Sequence, residues 1–582
     1  VRNFLLITFL FLTPLFSLAA NPDAQPKPQP ELAGKIIREI KIVRKDIFED
    51  KDNALIYRTA NDLKVPTRVK LIERELRFKK GEPYDEFTIR ETERQLRALR
   101  FMRDAVIRGQ AVGNNEVDLT VQVKEVWTFI PQVSYSSKSG ETSRTIGVSE
   151  GNLFGLGKRI EVLDQVSEKR ESLETVYDDQ RLGGTFHRLT LGHFDRKDGL
   201  RQTASISRPF LSLLDQYSWN VTYDSGDGVG RLFKDGSEDY IYRRDGTDFD
   251  TSFIVAKGEP NELLTRYSIG FRYQDEVFTQ ADQDDYEDLD LDPTEVRNDI
   301  EDLAQDRRYI GPTIGFQSVD PDFISMNYID RFERYEDYNL GNQLAFNLML
   351  APKFLSSDED AVLLSGHRAA GLAFSENSFI RAEGGVSSRI ARDSVSNSLL
   401  RGEVKFFNVL GDVRIRERFF GRHTLAAQLA TDYGMDLDKD RQFLVGADNS
   451  LRGYKTRAFE GSKRLVLNLE DRVHLIDNVA KIVSVGAAGF IDIGGATDEN
   501  LTRLIGDNIY SDIGIGLRLG FPRSSGGGVV RLDVAFPLRA GPDGSERLEP
   551  RFSLGAGQLF GARTRAENTG VEAANVEVGF DR

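Results

Sequence analysis

The chain is 582 residues long, with 77 Lys and Arg against 92 Asp and Glu and a net charge of −15. That balance argues against nucleic acid as a partner, because a phosphate-binding surface has to be basic. Hydrophobic residues make up 40%, low for a helical membrane protein but ordinary for a barrel, and the absence of cysteine excludes a disulfide framework and a lipid-modified N-terminus.

At the N-terminus, Arg2 precedes the apolar run FLLITFLFLTPLFSLAA, which ends in a Ser17-x-Ala19 cleavage pattern. Residues 1–20 read as a secretory signal peptide, and no later segment approaches the run of about 18 apolar residues that a spanning helix needs. Residues 21–34 hold four prolines in NPDAQPKPQPELAG and read as an extended, semi-rigid linker.

Residues 35–126 change character. KIIREIKIV, with Ile36, Ile37, Ile40 and Ile42 among its apolar positions, predicts a strand. TRVKLIERELRF has helical spacing at Val69, Leu71, Ile72 and Leu76. After a KKGE turn, DEFTIRETERQLRALRFM predicts a second helix with Phe87, Ile89, Leu96 and Leu99 on its inner side. DAVIRGQAV and VDLTVQVKEVW close the unit as an antiparallel pair. The result is one small α+β domain.

From Trp127 onward the pattern predicts strands and turns, with no helix. Turn-forming clusters such as FGLG, KDG and GEPN separate many of the strands. The last quarter alternates most strictly. In LVLNLEDRVHL, Leu465, Leu467, Leu469, Val473 and Leu475 oppose Asn468, Glu470, Arg472 and His474. In VSVGAAGFIDI, Val483, Val485, Ile491 and Ile493 oppose Ser484 and Asp492. Ile513, Ile515, Leu517, Leu519 and Phe521 oppose Asp512 and Arg518; Val530, Leu532, Val534, Phe536 and Leu538 oppose Arg531 and Asp533. A soluble sandwich would also alternate in this way, but an exported chain with this many strands and no helical anchor fits a membrane barrel, apolar side to lipid and charge to a wet lumen. Counting every hairpin gives nearer twenty strands than sixteen. If the first strand starts on the periplasmic side, the acidic loop 281–304 follows an odd strand and lies outside, as long outer loops do.

These residues resemble the BamA/TamA family of outer-membrane assembly and translocation proteins, the bacterial surface-antigen family. KGEPYDEFTIRETERQLRALRFMRDAVI is similar to the core of a polypeptide-transport-associated (POTRA) domain. GNLFGLGK (151–158), EDYNLG (336–341), LVGADNSLRGY (444–454), NLEDR (468–472), FIDIGG (490–495), IGIGLRLGFP (513–522) and RLDVAFPL (531–538) follow in the family's order. The resemblance implies a transmembrane antiparallel β-barrel of 16 strands, against up to 20 by hairpin count, over residues 127–560, preceded by one small α+β POTRA domain. One such domain is fewer than the main assembly component carries.

The resemblance also implies a site. The RGY loop would fold into the lumen, where Arg452 pairs with Glu470 and Asp492, both already on the charged face by parity. A buried guanidinium needs such partners to offset its desolvation. Gly453 would allow a tight turn, and Tyr454 would cap it by packing. The implied second feature is a lateral seam. The first strand contains Pro131, which cannot donate to a ladder; the last, RFSLGAGQLF, contains Gly555 and Gly557 and ends at Phe560. Substrate strands would pair there by β-augmentation; the plainer reading is that Pro131 marks where the barrel begins. The polar tail 561–582 reads as periplasmic, with NVEVGF (575–580) as an alternative last strand.

Other signals carry less. Gly147-Val-Ser149-Glu-Gly151 matches a nucleophile elbow but lies in a predicted strand, whereas the motif needs a strand-turn-helix. The acidic loop lacks ordered calcium-loop spacing. Asn220-Val-Thr222 falls inside a strand, and His187, His193, His367, His423 and His474 show no metal spacing. The expectation is therefore an outer-membrane protein of a Gram-negative bacterium, not an enzyme, with no cofactor and no metal, that assists insertion or translocation of polypeptides. Its expected partners are unfolded outer-membrane or secreted polypeptides and outer-membrane lipids, with periplasmic accessory proteins as further candidates. The alternative is a passive pore, a structural surface protein or a lipid-related transporter on the same fold.

Overall fold

A computed structural model describes residues 29–48, 61, 64–138, 141–167, 171–415, 418–447, 449–524 and 528–561. The signal peptide, most of the proline-rich segment, the tail beyond Gly561 and the alternative strand 575–580 lie outside the described residues. The end of the proline-rich segment is not linker: Pro30–Leu32 form a 3-10 turn, and Leu32 is buried in the core of the small domain.

That domain consists of β1 (Ile36–Lys45), α1 (Val69–Glu75), α2 (Glu86–Ala98), β2 (Met102–Val112) and β3 (Glu116–Glu125). The sheet order is β1-β3-β2, with β1 parallel and β2 antiparallel to β3. Ile37, Ile72, Ile89, Leu96, Phe101, Val121 and Val123 fill the space between sheet and helices. The start of α2 is fixed by Asp85, whose carboxylate accepts from Thr88 N at 2.9 Å. Phe87, expected in this core, instead packs toward Leu213, Leu264 and Val319 on the other domain. Its helical spacing put it near the inner face; the neighbouring apolar surface decided which core it joined.

Among the described residues twenty antiparallel strands follow, from Phe129–Lys138 to Arg551–Ala556, and close into a barrel. The hairpin count was therefore right and the sixteen implied by resemblance was not. The distribution of polarity is inside out: Ile269, Ile515 and Phe552 are each more than 60% exposed, whereas Ser484, Asp492 and Asp512 are 0% exposed. Apolar side chains face outward to lipid and polar ones face the lumen. Among the described residues no helix is long and apolar enough to cross a membrane.

Two features depart from a plain strand-and-turn chain. Short helices occur in loops at Gln283–Asp288 and Leu501–Asp507, capped by the side chains of Asp282 and Asn500. The acidic loop is thus partly folded, with Tyr286, Leu289 and Val296 buried against Val229 and Ile241. Strand length is also uneven: Ser237–Lys257 has 21 residues and Arg551–Ala556 has 6.

The small domain sits against the turns at the barrel end where the first strand begins. Glu75 of α1 accepts two hydrogen bonds from Arg181, at 2.5 and 2.6 Å. Arg77 grips Asp215 at 3.0 and 3.2 Å. In the GNLFGLGK turn, Gly155 O accepts from Arg68 N at 3.0 Å, and Asn152 Nδ2 donates to Thr67 Oγ1 at 2.9 Å. A Cβ at Gly155 would fall 2.4 Å from Pro66 O, which explains glycine at that contact.

Candidate functional site: the lumen lock and the barrel seam

The loop between the fifteenth (Arg418–Met435) and sixteenth (Lys463–Val479) barrel strands folds into the lumen. It brings Arg452 to the lumen face of the sixteenth and seventeenth (Val483–Thr497) strands. Arg452 Nε and Nη2 donate to the two oxygens of Asp492 at 2.8 and 2.9 Å, and Nη1 donates to Glu470 Oε1 at 3.2 Å. All three side chains are fully buried, and the guanidinium carbon lies 3.3 Å from the centre of the Phe490 ring. The bidentate pair and the aromatic face offset the desolvation that burying the cation costs.

The neighbouring loop residues act differently from each other. Gly453 was expected to supply a tight turn, but it has no positive φ. Glycine is needed there for close approach: an added Cβ would lie 2.6 Å from Asp512 Cβ and 3.1 Å from Pro537 N. Its N–H donates to Asp512 Oδ2 at 3.0 Å. Tyr454 is buried edge-on against Phe459 and Tyr510, and its hydroxyl donates toward Ser511 O and Arg539 O, at 3.1 and 3.0 Å.

Sequence reasoning missed the rest of this cluster. Arg518 Nη2 donates to Glu470 Oε1 at 2.7 Å, and its Nη1 donates to Asp533 Oδ1 at 2.5 Å. Arg472 Nε donates to Glu470 Oε2 at 3.0 Å, and Asn468 Nδ2 reaches both Ser450 O and Asp492 Oδ1 at 2.8 Å. Parity had placed each of them on the polar face. What parity lacks is height along the barrel, which is set by register: Asn468 opposite Asp492, and Asp492 opposite Asp512.

The seam lies where the last strand meets the first. Among the described residues two pairs join them, Ser553 with Lys138 and Leu554 with Ser137. The junction before it, between Val529–Pro537 and Arg551–Ala556, has six. Pro131 pairs with Val148 on the second strand and lies in the part of the first strand, Phe129–Ser136, that is outside the two seam pairs. Gly555 is within the last strand, opposite Arg531. Gly557 is beyond it, with φ +81. That left-handed residue turns the chain inward, so Phe560 is not at the seam: it is buried in the lumen with Phe407 and Ile329. Ser149 lies within the second barrel strand, Glu141–Leu153, opposite Ile130.

Comparison with protein-family models matches residues 152–560 to the Omp85 superfamily domain and residues 62–126 to the surface antigen variable number repeat, a POTRA model. The chain belongs to the Omp85 superfamily. Omp85 proteins reside in the outer membrane of Gram-negative bacteria with their POTRA domains in the periplasm, and the family inserts or secretes proteins. No curated protein sequence matches this chain. Among solved structures it is similar to BamA from Haemophilus ducreyi lacking POTRA domains 1–3, at 13% identity and a TM-score of 0.38, covering 89% of this chain and 84% of that one. It is also similar to CdiB from Acinetobacter baumannii, at 12% identity and a TM-score of 0.44, covering 90% of this chain and 74% of that one. Both likenesses are too distant to speak to function.

With the Omp85 orientation, the turn between the tenth (Arg307–Val319) and eleventh (Gln343–Ala351) barrel strands is periplasmic. It carries a hairpin, Phe323–Met326 paired with Glu336–Asn339, that contains most of the EDYNLG motif. The hairpin enters the lumen: Met326, Ile329, Tyr338 and Leu340 pack with Phe379, Phe407 and Phe560. Arg472 Nη1 donates to Ile329 O and its Nη2 to Phe560 O, both at 2.7 Å. Through Glu470, this one arginine joins the lock to the hairpin and to the end of the barrel.

Proposed function

We propose that this Omp85 protein receives unfolded polypeptides at its periplasmic POTRA domain and passes them into or across the outer membrane by opening the barrel beside its last strand, without catalysis. The observation that carries this reading is the seam, where the described residues form two pairs in a ring whose other junctions are longer ladders. Each backbone group left unpaired in the bilayer is costly, so a junction of two pairs is the one that parts with the fewest groups to satisfy. An opened edge offers unpaired N–H and C=O groups to an incoming strand, which is β-augmentation. The wall is also low there. Six residues at about 3.3 Å each span roughly 20 Å along the strand, less once tilted, against an apolar band of about 25 Å. Bilayer next to the seam would be thinned, lowering the barrier to a strand entering it. Driving energy comes from the substrate's own folding.

The test is a staple. In a chain without cysteine, Lys138→Cys with Ser553→Cys places a pair at the seam register. In cells depleted of the native copy, the oxidised staple is expected to deplete a subset of outer-membrane or secreted proteins, and reduction is expected to restore them. An outer-membrane protein profile unaffected by depletion itself would replace this reading with a passive pore.

A further inference from the structure

Periplasmic turns of such barrels are short. The segment from residue 320 to 342 is long enough to carry a hairpin, and it points into the barrel. Its own ladder is four residue pairs, and an isolated two-stranded hairpin is marginal in water. Its position therefore depends on what holds it from either side. Inside, Thr424 Oγ1 donates to Tyr328 O at 2.9 Å, Tyr328 donates its hydroxyl proton to Asp477 at 2.9 Å, and Phe332 stands edge-on to His474 at 4.8 Å between ring centres.

Outside, it is held by the POTRA domain. Arg97 of α2 grips Asp337 with two parallel hydrogen bonds, at 2.9 and 3.0 Å. Arg103, in β2, pairs with Glu333. The Arg94 guanidinium lies 3.6 Å from the centre of the Phe323 ring. One end of α2 and the start of β2 thus present three arginines to two carboxylates and an aromatic ring. These contacts join groups far apart in sequence and are partly open to water, so other groups of the same chemistry can compete for them.

We propose that the 323–339 hairpin is a stopper for the periplasmic end of the lumen, held in place by the arginine face of the POTRA domain, and that an unfolded segment carrying carboxylates beside an aromatic residue releases it by taking over those arginines. The hairpin occupies the place of a client. Arg472, which holds Ile329 O and Glu470 together, links release of the stopper to the lock beside the seam.

The experiment is conductance of the full chain in planar bilayers, which needs no client. A failure would remove the stopper and leave the client-handling reading to the seam staple. Asp337→Arg and Arg97→Glu are each expected to raise the open-to-closed ratio about tenfold or more, the effect of losing one charge-assisted pair. Combining them restores an opposite-charge pair and is expected to return the ratio toward wild type. Arg97→Gln guards against a folding failure of the reversals and is expected to shift in the same direction; heat-modifiability reports that each barrel is folded. Conductance unchanged in the folded single variants overturns the proposal. So does a double variant as open as the singles, because damage rather than a broken clamp would then explain the opening.

Discussion

The wall formed by barrel strands sixteen to nineteen carries Glu470, Arg472, Asp492, Asp512, Arg518, Arg531 and Asp533 on its lumen face and receives Arg452 from the loop, all of them buried. At the seam just beyond this wall the described residues form two backbone pairs, Ser553 with Lys138 and Leu554 with Ser137. One region is braced by a linked network of buried acidic and basic side chains. The other is joined, among the described residues, by a ladder of two backbone pairs, the shortest in the ring. A barrel that opens at one place benefits from such a contrast: the wall beside the opening keeps its shape while the edge gives way.

The contrast is most strongly broken by Arg452→Ala. It leaves the buried Asp492 without the cation it contacts at 2.8 Å, while Glu470 keeps Arg518 and Arg472. Breaking a buried pair by removing one partner costs about 3–5 kcal/mol. The expected outcome is loss of heat-modifiability at a lower temperature together with reduced complementation. Arg452→Lys keeps the charge but not the two-pronged geometry and should fall between. Full stability in Arg452→Ala would mean that the network does not brace the wall.

A smaller effect is expected from Gly453→Ala. The new Cβ must be accommodated against Asp512 Cβ and Pro537 N, both of them parts of the wall itself. Overpacking of this kind costs about 1–3 kcal/mol. Because no charge is lost, the variant separates the loop's close seating from its ion pairing. Melting unchanged from wild type would show that the loop rides above the wall.

The braced wall was far more legible in the sequence than the seam or the stopper. Period-two alternation placed Glu470, Arg472, Asp492, Asp512, Arg518, Arg531 and Asp533 on one face, and resemblance supplied Arg452 as the group they meet. Convergence at one height was not legible, because shear and register are properties of the closed sheet. Phe560 was misread for a local reason: an alternating segment continues in pattern through Gly557, but a left-handed residue there ends the strand and turns the last aromatic into the lumen. The stopper was hidden in EDYNLG. Its strands are four residues long and their buried side chains face other lumen residues, so nothing in the pattern separates them from the wall.

The smallest expected effect is at Pro131. It lies on the first strand in the stretch beyond the two seam pairs, beside Val148 on the second strand. Pro131→Ala restores an N–H donor at an edge where water can satisfy it, and surface changes of this kind stay within about 0.5 kcal/mol. Melting is therefore expected to match wild type, in contrast to both lock variants. Activity decides what the proline is for. If complementation is intact, Pro131 only marks the start of the barrel, and the weakness of the seam lies in its short ladder. If complementation falls while melting holds, the missing donor itself keeps the edge from closing on its neighbour. The contrast between wall and seam would then extend to a single backbone group.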